Sequence, residues 1–158
     1  MLDAKLIVEL QAVGLDPAKK MLPPYPRELT CKVVLICARG LNPTMREDDA
    51  LRAFGRRFVQ RYADSLIGKA LLSALRLPGP GKMLVRVATR FRTANNDLET
   101  EVTHLRHGAA ELWCNDLAYG AWFEGIIVET LESAGAKEPG VHVMKSDASG
   151  TVFANEWK

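Results

Sequence analysis

The sequence predicts an α+β domain, with helices packed on one face of an antiparallel sheet built from two C-terminal hairpins. Three observations predict it. Apolar residues recur at helical spacing through residues 1–92. The pattern then changes to a hairpin, a long helix and a second hairpin over 93–158. Strands and helices do not alternate, which argues against a parallel nucleotide-binding sheet. With 158 residues, no repeat, no low-complexity tract and no long linker, the chain reads as a single domain, 1–158.

The elements follow in order. Leu2, Leu6, Leu10 and Val13 predict a helix over 3–13, stopped by Gly14. Asp16-Pro17 is suited to cap a brief turn. Pro23-Pro24-Tyr25-Pro26 forbids regular structure, and Pro26 is placed to open the next helix. That helix carries Leu29, Val33, Ile36 and Cys37 and ends at Gly40. Thr44 and Glu47 have capping-box spacing, so a third helix is expected from there to about Tyr62. Its apolar face is Leu51, Phe54, Phe58 and Tyr62. A further helix with Ile67, Leu71, Ala74 and Leu75 is broken by Pro78-Gly79-Pro80-Gly81. Another runs from Lys82 to about Arg92. Asn95-Asn96-Asp97 signals a turn, and residues 98–115 predict a hairpin closed at Arg106-His107-Gly108. Asp116 caps a helix over Leu117 to Ala134, stopped by Gly135. Strands Val141–Lys145 and Thr151–Trp157 flank Asp147-Ala148-Ser149-Gly150 as the second hairpin.

Composition narrows the functional class. The chain is 47 % hydrophobic and 25 % charged, as ordinary globular domains are. Three cysteines without paired spacing argue against a disulfide framework and fit a reducing cytoplasm. No apolar run approaches the ~20 residues of a membrane helix, and the start of the chain lacks the pattern of a signal peptide. The net charge of +2 is unevenly spread. Residues 1–92 hold 17 Lys/Arg against 8 Asp/Glu, and residues 93–158 hold 4 against 11. The plainer explanation is two halves that complement each other on folding. The sharper one is a basic face for an acidic partner.

No motif carries catalysis. Gly79-Pro80-Gly81-Lys82 lacks the spacing of a phosphate loop and has no Ser or Thr after its lysine. His104 and His107, three apart on a strand, point to opposite faces, and His142 is isolated. The cysteines form no CxxC pair, and no serine sits in a nucleophile elbow. Glu99 and Glu101 share a solvated strand face. No catalytic group, metal or cofactor is expected.

Two patches remain as candidate sites. Arg52, Arg56, Arg57 and Arg61 occupy much of one helix, and Lys82, Arg86 and Arg90 form an i, i+4, i+8 stripe on another. These suit an acidic partner; nucleic acid is not expected, because no recognised module or interleaved aromatics accompany them. The most apolar stretch is Trp122-Phe123-x-x-Ile126-Ile127. An aromatic stripe at helical spacing is usually core, and the alternative is the lining of an apolar pocket. That pocket would take Phe58, Leu71, Trp122, Phe123 and Ile126.

Trp122-Phe123-Glu124-Gly125-Ile126-Ile127, then Leu131-Glu132-x-x-Gly135 and a closing strand–turn–strand, resembles the end of vinyl-4-reductase and haem–nitric-oxide-binding domains and of small subunits of the TRAPP transport complex. Across nearly the whole chain the sequence is more similar to an uncharacterised paralogous family of myxobacterial proteins. The carrying segments are Pro24-Tyr25-Pro26-Arg27, Ala53-Phe54-Gly55-Arg56-Arg57-Phe58, Ser65-Leu66-Ile67-Gly68-Lys69-Ala70, Phe91-Arg92-x-x-Asn95-Asn96 and Trp157. The resemblance implies helices over an antiparallel sheet, frequent dimerisation, and binding of small hydrophobic or haem ligands or of partner proteins. It implies an N-terminal element missing here. The haem-binding relatives use a proximal histidine and a Tyr-x-Ser-x-Arg motif, which this sequence lacks. The strand Thr151 to Trp157 carries no cysteine of the kind found in vinyl-4-reductase-like domains.

The expectation is therefore a non-catalytic regulatory or sensory module, cytoplasmic and homodimeric, that binds an apolar small molecule or a partner protein. The alternative is an interaction adaptor without a pocket, using the basic helical surface.

Overall fold

A computed structural model describes residues 3–19, 26–64, 79–94, 98–115 and 119–158, without the side chains of 90–94 and of His104. The helix expected over 65–75, the Pro23–Tyr25 connector and the Asn95–Asp97 turn lie outside the described residues. Helices α1 (Ala4–Ala12), α2 (Arg27–Leu41), α3 (Glu47–Asp64) and α4 (Pro80–Ala94) are followed by β1 (Thr100–Arg106) and β2 (Ala109–Cys114). Helix α5 (Gly120–Ser133) leads to β3 (Gly140–Asp147) and β4 (Gly150–Glu156). All pairings are antiparallel, and the sheet order is β1-β2-β4-β3. The α+β class and both hairpins are as the sequence predicts.

Strand alternation decides which face is covered. Leu112 opposes Phe153, which in turn opposes Val143, while Ala110 pairs with Asn155. Their shared face meets α4 and α5. Phe153 and Leu131 are fully buried there, with Leu84, Phe123 and Ile127. Thr100 on β1 donates its hydroxyl to the Ala88 carbonyl of α4 (2.7 Å), which ties the edge strand to the helix above it. Helices α1, α2 and α3 form a further layer: α1 packs on α2, α2 on α3, and α3 on α5. Leu6, Leu10 and Leu15 seal the outermost contact against Val33, Ile36 and Leu41.

Several termini differ from expectation. Helix α3 starts at Glu47, later than a Thr44 cap would place it, because the Met45 amide bonds the Asn42 carbonyl in a turn (3.2 Å). Glu47, Asp48 and Asp49 instead fill the first turn, where carboxylates complement the helix dipole. Tyr119 is the N-cap residue of α5 and makes no side-chain capping bond; Asp116 lies outside the described residues. The Asp16-Pro17 turn forms as expected, with the Asp16 carboxylate accepting from the Ala18 amide (3.1 Å).

Candidate functional site

The junction of α3 and α5 gathers most of the residues singled out in sequence. Its geometry follows from two glycines. A Cβ on Gly55 would lie 2.2 Å from the Trp122 carbonyl oxygen, and one on Gly125 would lie 2.1 Å from that of Arg52. The helices therefore cross backbone to backbone, which other residues would prevent. On one side of the crossing Arg52 bonds Glu124 (2.5 Å) and Asp49 (3.2 Å). Further along, Arg56 bonds Glu129 (3.1 Å) and pairs with Glu132, and Gln60 also donates to Glu129 (3.1 Å). Glu124 is buried, and its hydrogen bond and charge hold the Arg52 guanidinium more firmly protonated.

An aromatic cluster fills the same junction. Phe58 and Trp122 meet edge to face with ring centres 6.0 Å apart, and Trp122 meets Phe123 at 5.3 Å. Phe123 in turn stacks on Phe153 of the sheet at 6.5 Å. Such pairs each contribute roughly 0.5–1.5 kcal/mol beyond their burial. Trp122 packs against both the sheet core and the Val34–Leu51 core of the outer helices. Phe123 and Ile126 are buried, while Phe58 keeps 47 % of its surface exposed.

The structure thus brings together Phe58, Trp122, Phe123 and Ile126 of the expected pocket. Phe58, Trp122 and Phe123 are in ring contact, and Ile126 is buried one turn along α5 from Trp122. Leu71 lies outside the described residues. An open groove of about 350 Å³ is lined by Arg27, Glu28, Cys31, Lys32 and Tyr119, none of which belongs to that cluster.

The basic residues divide. Arg52 and Arg56 are turned onto the acidic residues of α5. Arg57 and Arg61 stay exposed on α3, the latter 3.9 Å from Asp64, and Lys82 and Arg86 are exposed on α4. The Arg90 side chain is not among those described. Neither the glycine crossing nor the inter-helix ion pairs were deduced from sequence. A glycine inside a helical pattern signals a packing reason, but its partner 70 positions away is not written locally.

Other chemistry is sparse. Among the described residues no three His, Cys, Asp or Glu side chains converge as a metal site. Cys114 is buried, and burial pushes the Cys37 thiol pKa up, which disfavours the reactive thiolate. Among the described residues no helix is long and apolar enough to cross a membrane.

A family model described as "Protein of unknown function (DUF2378)" matches residues 1–158. The chain belongs to that family. No curated protein matches it. Among solved structures it is similar to the unliganded Fe(II) H-NOX protein from K. algicida, with 15 % identity and a TM-score of 0.68, over 98 % of this chain and 87 % of the other. The S. oneidensis H-NOX protein in its Fe(II)NO state is similar at 12 % identity and TM-score 0.68, over 98 % and 89 % of the two chains. A variant of the T. tengcongensis H-NOX protein gives 12 %, 0.62, 97 % and 86 %. At these identities the family member shares their fold.

One of the similar H-NOX structures concerns haem distortion, so haem is the group to test against this chain. The described residues of this chain do not fit it. Haem iron needs an axial histidine, thiolate, thioether or phenolate beside a slot wide enough for the macrocycle. Among the described side chains, His107 and His142 are exposed, in the β1–β2 turn and on β3, and Met83 and Cys114 are buried; the His104 side chain is not among those described. The space between sheet and helix is filled by Phe123, Ile127, Leu131 and Phe153.

Proposed function

We propose that this chain is a non-catalytic sensory or regulatory module that binds an apolar small molecule at the α3–α5 junction and works as a cytoplasmic homodimer. The observation that carries the reading is the aromatic cluster Phe58–Trp122–Phe123, in which one side chain is shared by two cores. A molecule inserted there would push the helical layer and the sheet layer at once. The H-NOX proteins that share the fold are described in unliganded and NO-bound states, which supports a ligand-responsive scaffold. The filled core supports a ligand other than haem. The site comprises Phe58, Trp122, Phe123 and Ile126; Leu71, expected there from sequence, lies outside the described residues.

A second reading is an adaptor without a pocket. Phe58 and Tyr62 are both exposed one turn apart on α3, beside Arg57 and Arg61, and Lys82 and Arg86 extend the basic character on α4. An amphipathic acidic helix from a partner would complement that face.

Native mass spectrometry on protein purified from its own host separates the two. The sensor reading expects a dimer that retains an added small-molecule mass. A clean apo mass transfers the assignment to the adaptor, and a clean monomer overturns the dimer.

A further inference from the structure

Trp122 presents an anomaly inside the cluster. Its indole Nε1 is buried and has no hydrogen-bond partner. Buried polar groups are nearly always paired, and an unpaired one is a standing cost that asks for an explanation. Among the described residues Asn155 also holds such an atom, its Oδ1, but that amide still donates twice, to Ala110 and Phe153. Trp122 has a single polar side-chain atom, and it is unused. A buried water is a poor answer, since it needs two to four polar partners. The rings packed on Trp122, Phe58 and Phe123, offer only their π faces, and such contacts are second-order.

We infer that the Trp122 indole N–H is the donor for the one acceptor oxygen of an otherwise apolar ligand, such as a ketone, ester or ether, that enters beneath Phe58. This rests on the junction being the ligand site. Phe58 meets the indole edge to face and is 47 % exposed, and exposed side chains change rotamer within nanoseconds. One side-chain rotation therefore opens the route. The surroundings set the ligand class. Arg52 and Arg56 are engaged with Glu124 and Glu129, so neither cation is committed to a ligand anion. Among the described residues, Phe123 packs on the indole and is apolar.

The test uses the full chain labelled with ¹⁵N at the tryptophan indoles and two probes of matched shape, acetophenone and ethylbenzene. Trp122→Phe keeps an aromatic ring, removes the donor and assigns the resonance. The expected result is that acetophenone moves the Trp122 indole proton downfield and binds Trp122→Phe about fivefold more weakly than the wild type, while ethylbenzene binds both alike. Phe58→Ala is expected to speed exchange of that proton with solvent; unchanged exchange overturns the entry route. If the two probes leave the proton unmoved and bind both proteins alike, the donor role is overturned while the apolar site stands. If neither probe binds, the site itself is overturned. Should Trp122→Phe fail to fold, the wild-type shift and the Phe58→Ala exchange rate still decide the matter.

Discussion

Asp147 opens the β3–β4 turn and collects three donors. The Lys145 ammonium lies 2.8 Å from its carboxylate, the Ser149 amide reaches it at 2.8 Å and the Ser149 hydroxyl at 2.5 Å. Together, with Lys145 first and Ser149 second, they hold the Asp147 pKa down at about 2. A carboxylate depressed on folding contributes stability above its unfolded value and loses it as pH falls through the folded one. The turn should therefore hold from neutral pH to about pH 4, close to an ordinary aspartate, and loosen progressively toward pH 2. Amide hydrogen exchange at Ser149, followed from pH 6 to pH 2 against that of β2, checks this. Protection that falls no faster at Ser149 than in β2 would show that the carboxylate does not hold the turn. This network was legible as a turn in sequence, because Asp147-Ala148-Ser149-Gly150 has turn chemistry. Its ionic part needed the strand geometry, which places Lys145 beside the Asp147 side chain after a register shift between Val143 and Lys145.

At the scale of elements, the glycines separate backbone crowding from side-chain crowding. Gly55→Ala and Gly125→Ala would each drive a methyl into a carbonyl oxygen of the opposing helix, which cannot step aside. Each is expected to cost about 3 kcal/mol or more in urea unfolding, the upper end of overpacking. Gly40→Ala is the control. There the methyl meets only the Leu6 side chain, nearest its Cδ1 at 2.7 Å, the end of a flexible chain. Alanine also gains about 1 kcal/mol of helix propensity, so the net change should be small. A loss at Gly55 no larger than at Gly40 would sink the close-crossing account. The elements themselves were well marked in sequence. Periodicity placed α1, α2, α4 and both hairpins to within a few residues, because burial on one face is a local property of the pattern. The α3 start was misread because the Thr44–Glu47 spacing fits a cap that the Asn42–Met45 turn supersedes. The candidate pocket was half legible. Its aromatic residues were named, but their closure onto one another depends on α3 reaching α5, a contact 70 residues apart in sequence.

Across the whole molecule, the charge asymmetry of the sequence has a partial structural answer. Two arginines of the basic half meet three glutamates of the acidic half across α3 and α5. Glu124 is the most enclosed of these, so removing its partner should hurt more than neutralising it. Arg52→Ala is expected to cost about 2 kcal/mol, below the fully buried case because Arg52 is 44 % exposed. Glu124→Gln keeps an acceptor and leaves no buried charge, so it should cost less than about 1 kcal/mol. Thermal or urea unfolding of the two variants tests the order, and a larger loss for Glu124→Gln would reverse it. Among the described elements, α3 on α5 is the principal contact between the outer helices and the sheet-bearing half. Because carbonyl oxygens meet α-carbons at that crossing, the distance between the halves is fixed as by a gauge block. Whatever enters the junction can then turn one half about the other but cannot wedge them apart at Gly55 and Gly125, so an input at Trp122 would leave the molecule as a change of angle.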